Sequence, residues 1–503
     1  MTVRPEQCAV LVPEHPQPAA DVSGSGHATT GRNEHASGPQ EPSVDCPGDG
    51  GEHRPSQACE TSDWSRVTVP GATSSGVPRH WSVARCPEPR VVLPAAVCWA
   101  AVAAHNSEGW SDWSPLALVQ APARDGGAVF AWGLSDDGRL GLGAAAHADA
   151  GAEASGRQPP LGDGVVIGAP RELLTQGILQ VAAGAHSAAV TATGGLLVWG
   201  TLVAGVAQAA DEGAGPVRTP TEQALPCSAA SVAVGRGTTA VVSADSRLWM
   251  FGCNDTHQCG VEAVPELLKV TSVPVPLPVL QVSCGEAHTL ARACDGSVFA
   301  WGCDQGPEVF DKLLQRPAPV GHQPTPRRVR LSSPACDIQA GGYHSLALCD
   351  GKVFTWGDGG MGQLGHGMLE WQVEPRLVEG LQGVPMQSMA AGGYHSLAVD
   401  SNSNVWAWGG NDKGQLGLGD REPRYTPVRV DVPPCVSVSA GGFFTLLVQR
   451  HGEVLACGQG SQGCLGLGQA CKKVVKPRKV PALDGRLRGA DIAAGALHCL
   501  ALV

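Results

Sequence analysis

The chain has 503 residues, a formal charge of −11, 67 glycines and 39 prolines, and few aromatics outside its 13 tryptophans. So acidic a balance argues against a general nucleic-acid binder, whose surface carries a basic footprint. The 18 cysteines form no even framework in a small secreted domain, so buried free thiols in a reducing compartment are expected.

Residues 1–60 are rich in Pro, Gly, Ser, His and Glu, with nine Asp plus Glu against three Arg. Such a segment cannot bury a core and is expected to be disordered. A basic start followed by an apolar block is missing, so it does not read as a signal peptide. Residues 61–122 differ. The apolar stretch 91–104 is too short to span a bilayer and is interrupted by Pro94. Within it Val97, Trp99, Ala101 and Ala103 alternate with Cys98, Ala100, Val102 and Ala104, the pattern of a buried strand. Then comes Trp110-Ser111-Asp112-Trp113-Ser114. This resembles the end of a fibronectin type III module, with its Trp-Ser-x-Trp-Ser variant. It equally fits an irregular β segment. Trp110 and Trp113 would stack on a cation, with Arg85 and Arg90 as candidates, or simply pack.

From residue 123 onward the chain repeats. Ala390-Ala391-Gly392-Gly393-Tyr394-His395-Ser396-Leu397-Ala398-Val399 is followed by Val405-Trp406-Ala407-Trp408-Gly409 and Gly414-Gln415-Leu416-Gly417. A close copy holds Gly341-Gly342-Tyr343-His344-Ser345, Phe354-Thr355-Trp356-Gly357 and Gly362-Gln363-Leu364-Gly365. Two glycine markers track the repeat. One opens a small-residue segment at Gly184, Gly235, Gly285, Gly341, Gly392, Gly441 and Gly495. The other closes an aromatic segment at Gly133, Gly200, Gly252, Gly302, Gly357, Gly409 and Gly458. The two series interleave without a miss. A unit of about 50 residues with short strands and no 3.6-residue stripe predicts a propeller blade. Small residues suit the crowded axis, and Trp132, Trp199, Trp301, Trp356 and Trp408, at one register, fill the wider space between blades. The array opens with the second half of a unit and ends with the first half. The last strands are therefore expected beside residues 127–132, closing the ring and removing two edges.

These residues resemble the repeats of the regulator of chromosome condensation (RCC1) family over roughly 126–503. The resemblance implies an all-β, seven-bladed propeller closed by N- and C-terminal strands. It also implies protein binding and, in some members, guanine-nucleotide exchange on a small GTPase. Chromatin-bound members use a basic N-terminal tail, from which the acidic segment here departs. Exchange-active members insert a β-wedge from one blade, and none is identifiable. No ubiquitin-ligase domain is expected after the propeller, and the repeated Gly-Trp-Arg-His-Thr motif of light-sensing members is absent.

The units vary. Gly138-Arg139-Leu140-Gly141 and Gly463-Cys464-Leu465-Gly466 keep the loop motif, whereas the units after Gly200 and Gly302 have lost it. Their loops, 201–225 and 303–325, are long, as is the Ala/Gly-rich insertion 144–175. Specificity usually resides in such loops.

No catalytic constellation stands out. His186, His288, His344, His395 and His498 each follow the small-residue segment of their own unit, with Thr238 and Phe444 in the other two. They do not converge on one substrate, and hydrogen bonding to neighbouring backbone is expected of them. Cys253, His257 and Cys259 have no second pair at zinc-site spacing and read as a drifted loop motif with Gln258-Cys259-Gly260 as its remnant. The glycine loops open no helix and contain no phosphate-binding Lys-Ser/Thr. The basic run 472–479 reads as a solvated loop, with an import signal or an acidic-partner patch as alternatives. Candidate partner-binding residues are Asp136, Asp358, Asp412 and Lys413, after the aromatic-glycine marker, and Trp371. The last is either an interface anchor or a plug on the outside of its blade.

The expectation is a disordered N-terminus (1–60), a fibronectin type III-like or degenerate β segment (61–122) and a propeller (123–503). The chain is expected to be a monomeric scaffold or regulatory protein-binding module, cytoplasmic or nuclear, with no cofactor, metal, nucleic acid or membrane partner. Exchange activity on a small GTPase is the alternative.

Overall fold

In the computed structural model the described residues are 7–13, 64–67, 81–86, 99–106, 109–110, 117–118, 127–135, 137–143, 166–201, 216–261, 266–303, 323–468, 471–483 and 492–503. The chain divides into two units, Met1–Ala121 and Pro122–Val503. In the first, strands run in the order Trp64–Val67, Trp81–Cys86, Gln7–Pro13, Trp99–Asn106, Gly109–Trp110, and Ala117–Leu118 also pairs with Trp99–Asn106. All described pairings here are antiparallel. Gln7–Pro13 lies inside the sheet, so disorder does not extend over all of 1–60. The local run Cys8-Ala9-Val10-Leu11-Val12 has strand propensity that an average over 60 residues hides. The rest of 1–60, Arg90 and Trp113 lie outside the described residues.

In the second unit each repeat forms a four-stranded antiparallel sheet. The one centred on Gly392 runs Met386–Ala391, His395–Asp400, Val405–Gly409, Arg424–Arg429. The fourth strand was not anticipated from sequence. Five sheets have this form. A sixth, of seven strands, holds two such units that share the long strand Val166–Ala183. Its first part pairs with Gly127–Leu134 and its last part with Ser187–Thr191. Residues 166–175 of the expected insertion are therefore strand. The C-terminal strand His498–Leu502 pairs antiparallel with Gly127–Leu134, placing Cys499 opposite Trp132.

The seven marker glycines explain how the sheets meet at the axis. A Cβ on Gly341 would fall 2.7 Å from the carbonyl oxygen of Gly392, and one on Gly495 2.6 Å from that of Gly184. The same clash links Gly184 to Gly235, Gly235 to Gly285, Gly285 to Gly341, Gly392 to Gly441 and Gly441 to Gly495. The series returns to its start. Backbone hydrogen bonds cross several of the same seams, such as Gly342 N to Gly392 O at 3.1 Å and Ala496 N to Gly184 O at 2.9 Å. Only glycine permits this approach. The seven first strands together line an axial cavity of about 730 Å³.

Away from the axis, tryptophans in five of the seven repeats pack against the repeat before. Trp132, Trp199, Trp301, Trp356 and Trp408 are almost wholly buried. The indole Nε1 of Trp408 donates to Gln363 O at 2.8 Å, that of Trp301 to Gln258 O at 3.0 Å, and that of Trp132 to Cys464 O at 2.8 Å. Each acceptor sits in the loop motif of the preceding repeat. The glycine ending that motif has positive φ and faces the same indole, as at Gly365 (φ +76°) against Trp408. One motif thus ends its own strand and receives the neighbour's indole. The segment 472–479, expected as a loop, is instead the outermost strand Lys473–Lys479. It pairs Val474 with Gly458 and Arg478 with Ala456, and Val474 is buried.

Candidate functional site

The strand directions put two sets of loops at one end of the propeller. The turn after each first strand and the loop after each third strand emerge together, because His395 pairs with Gly409 and Gly409 with Arg424. Gly410 N donates to Tyr394 O, and Asp358 N to Tyr343 O, both at 2.8 Å.

Beneath this end lies a ring of histidines. His344 Nε2 is 2.9 Å from Ser396 Oγ, His395 from Thr445 Oγ1 at 2.9 Å, and His288 from Ser345 Oγ at 2.9 Å. His186 lies 2.7 Å from Thr239 Oγ1, and His498 2.7 Å from Ser187 Oγ. Each imidazole therefore reaches a hydroxyl of the next repeat, not neighbouring backbone as the sequence suggested. In three of the seams the hydroxyl in turn donates to a loop carbonyl: Ser396 Oγ to Gln363 O at 2.8 Å, Thr445 Oγ1 to Gln415 O at 2.7 Å and Ser187 Oγ to Arg139 O at 2.7 Å. The one hydroxyl proton of Ser396 is used there, so His344 must donate from Nε2. The Nδ1 atoms of all five are buried without a partner. Burial holds them neutral, at about 4 for His186, His288 and His395 and about 3 for His344 and His498. The two exceptions are matched. Phe444 replaces the histidine where the facing residue is Cys499, whose thiol donates to Cys464 O at 3.2 Å. Thr238 turns to Cys253 O of its own repeat at 3.0 Å. These are seams, not acid–base groups.

The surface above the ring is asymmetric. The residue before the histidine position is Tyr343, Tyr394 and Phe443 in three successive repeats, but Ala185, Gly237, Ala287 and Leu497 in the rest. Tyr394 and Phe443 stack at 5.7 Å with 30° between their planes, and Lys413 Nζ stands 5.9 Å from the Phe443 ring. Burial raises the phenol of Tyr343, and the carboxylate of Glu286, hydrogen-bonded to it, raises it further, while Arg236 opposes. Burial also raises that of Tyr394, with Glu286 and Asp358 adding to the effect. Glu286, Tyr343, Tyr394 and Asp358 thus share one neighbourhood.

The predicted binding residues divide as follows. Asp136 lies outside the described residues. Asp358 is committed to its own loop: one carboxylate oxygen accepts from Gly360 N at 2.8 Å and the other from Gln363 Nε2 at 2.9 Å. Asp412 pairs with Lys413, and Lys413 reaches Phe443. Trp371 is half-buried against Ala287, Cys303 and Tyr343. Sequence reasoning missed Tyr343, Tyr394 and Phe443 as a set, although their alignment before the histidine position was legible. Glu286 and Arg236 carried no such signal.

The segment 253–260 repeats the other loops. Gln258 O accepts from Trp301 Nε1, His257 takes φ 61° where other repeats have glycine, and Cys259 N donates to Asn254 Oδ1 as Leu416 N does to Asn411 Oδ1. The 13 cysteines of the second unit are free. Burial pushes the thiols of Cys284, Cys457 and Cys464 up to about 12. Such thiols are poor nucleophiles.

Four-stranded sheets packed about an axis define a β-propeller. Residues 205–503 match the profile described as the RCC1-like domain, and the chain belongs to that family. It is 31% identical over 324 residues to the mitochondrial RCC1 domain-containing protein RUG3 of Arabidopsis thaliana, covering 61% of this chain and 66% of that protein. It is 49% identical over 88 residues to the human RCC1 domain-containing protein 1, covering 17% and 23% respectively. The chain thus spans just under two thirds of the plant relative and less of the human one. Among solved structures, human WBSCR16 aligns with TM-score 0.61 at 21% identity, over 75% of this chain and 98% of that one. Prp20p of Saccharomyces cerevisiae, described with its binding to Gsp1p and histones, aligns with TM-score 0.60 at 20% identity, over 75% and 91%. At such identities the likeness is one of fold.

Proposed function

We propose that this chain is a protein-recognition module that binds through the propeller end carrying Tyr343, Tyr394 and Phe443. Asp358, Trp371, Asp412 and Lys413 surround the aromatics, and Asp136 belongs with the same loops by its place in the repeat. The observation that carries the reading is the asymmetry. The histidine position is followed through seven repeats, five of them with a histidine–hydroxyl seam, yet an aromatic precedes it only in three consecutive ones, at Tyr343, Tyr394 and Phe443. A purely structural position would vary with no such grouping, and aromatics with a polar tip are typical interface anchors. Quantitative affinity capture with the tagged full chain, beside a Tyr394→Ser/Phe443→Ser variant, tests it. Loss of specific partners from the variant is expected; an unchanged set would refute the face assignment.

The finer reading is exchange activity on a small GTPase. It draws on the fold shared with Prp20p, whose binding to Gsp1p is described. Release of labelled GDP accelerated at catalytic concentrations of the chain would establish it; an unchanged rate with a bound GTPase leaves a scaffold. A monomer is proposed and is read by sedimentation, and DNA binding with a steep salt dependence would contradict the absence of a nucleic-acid partner. Among the described residues no helix is long and apolar enough to cross a membrane. A cytoplasmic location is proposed against the mitochondrial one in the plant relative's name, and cell fractionation separates the two. The boundaries 1–60, 61–122 and 123–503 are proposed with a fibronectin type III-like or degenerate β middle segment, which Gln7–Pro13 of the first segment joins as a strand; limited proteolysis tests them.

A further inference from the structure

Among the described residues the large apolar side chains with the greatest exposure are Met361 (45%), Met368 (40%), Val373 (58%) and Tyr425 (41%). Met361, Met368 and Tyr425 come from two neighbouring repeats and meet at one seam. Gly362, next to Met361, lies against the Tyr425 ring, and Gly367, next to Met368, donates its N–H to Tyr425 O at 2.8 Å. Val373 holds the register of Tyr425 one repeat earlier, on the side of the strand Gln372–Leu377 that carries Trp371, and so belongs to the preceding seam. Isolated exposed apolar residues need no explanation, but a contiguous group marks a contact surface. Two of the members are methionines, which adapt to a partner's shape.

The charges around the seam are unequal. Arg424 is held by Asp420 at 2.6 Å, and Arg376 lies 3.9 Å from Glu379 and 3.7 Å from the Met368 sulfur. Glu370, Glu374 and Glu422 are exposed, and none forms an ion pair among the described residues. Arg421, exposed and likewise in no ion pair among the described residues, offsets one of them, and the rim keeps a net negative charge. The outer strand also resists extension by another strand, because Pro375 lacks an N–H and the pairing shifts register between Thr355 and Gly357. What fits is a segment that lays side chains on the patch without adding to the sheet.

We infer that this seam binds an amphipathic helix of a partner protein, with large apolar side chains on one face and Lys or Arg beside them. The inference rests on the protein-recognition reading and adds a second contact sector with a stated chemistry.

The test is selection of a phage-displayed library of random 16-residue peptides on the full chain, with counter-selection on Met361→Ser/Tyr425→Ser. Survivors are expected to carry Leu, Met, Phe or Trp at i, i+3 and i+4 with flanking Lys or Arg. A fluorescein-labelled survivor should bind the double variant at least about tenfold more weakly, as truncation of an interface anchor does. Glu370→Lys/Glu374→Lys, two exposed positions whose reversal leaves packing intact, should weaken it about as much. No survivors, survivors without the basic-apolar pattern, or binding indifferent to both variants would overturn the inference. So would self-association seen by sedimentation and abolished by Met361→Ser/Tyr425→Ser, since the occupant would then be a second copy. Partners that still depend on Tyr394 and Phe443 in that event leave the recognition reading intact; partners indifferent to those residues as well remove both.

Discussion

Acid should unfold this propeller well before its carboxylates are protonated, and the histidine seams are the reason. Five buried imidazoles are held near 3 or 4, below the ordinary value of 6.5. In the unfolded chain they take up protons near their ordinary value, so between about pH 6.5 and pH 4 the unfolded state binds more protons. Stability therefore rises with pH across that window: it is fully present above 6.5 and is lost as pH falls toward 4. At pH 5 each histidine forfeits about 2 kcal/mol by this linkage, and five forfeit about 10. That is comparable to the whole stability of an ordinary domain. Asp337, whose carboxyl burial pushes up, works in the opposite direction but is one group. Tryptophan fluorescence and far-ultraviolet circular dichroism followed from pH 7 to pH 3 should show a cooperative transition near pH 5, with net proton uptake by potentiometry. Replacing one seam by the pair the chain already uses elsewhere, His344→Phe with Ser396→Cys, should reduce the uptake by about one proton. A chain still folded at pH 4, or imidazole resonances titrating near pH 6.5 in the folded state, would refute the reasoning.

Two stability predictions follow from the same geometry. Gly341→Ala drives a Cβ against Gly392 O and the His344 ring and should cost about 1–3 kcal/mol or more by overpacking. Gly383→Ala, at φ +83° with nothing within 4 Å, should cost only the backbone strain of about 1 kcal/mol. Calorimetric melting that ranks them equally would contradict the account of the axis. Ser396→Ala strands the His344 Nε2 proton in the interior and should cost about 1–3 kcal/mol in urea unfolding at pH 7. The double change His344→Phe/Ser396→Ala should cost less than the sum of the singles, because the stranded donor is gone.

The axis was legible in the sequence because its constraint is absolute. A Cβ cannot share space with a neighbour's carbonyl oxygen, so every repeat shows the same glycine. The indole register was legible for a similar reason: one large group fills one recurring space. The fourth strand was not anticipated. It lies at the outer edge, where exposed, charged residues alternate weakly, as in Arg424–Arg429 and Lys473–Lys479. Its signal was a recurrent proline, at Pro170, Pro220, Pro326, Pro375, Pro427 and Pro477, spaced like the glycines. Proline belongs on an edge strand because it withholds a donor from any further strand. Here it also packs inward: a Cβ on Gly417 would lie 2.9 Å from Pro477, and one on Gly466 3.4 Å from Pro170.

The candidate site was less legible because repeats conceal what is particular to one of them. The histidines drew notice by recurring, and recurrence is the mark of a seam. Asp358 also drew notice in a loop, yet its carboxylate is occupied in fixing that loop through Gln363. The residues that distinguish one sector from another are those that break the pattern: Tyr343, Tyr394 and Phe443 where other repeats carry small or aliphatic residues, and Met361, Met368 and Tyr425 at one seam. Shared positions must satisfy the same neighbours in every sheet, so they are fixed by the fold. Positions that differ without weakening a seam are free to answer to something outside the ring, and it is there that a binding surface on this scaffold is to be sought.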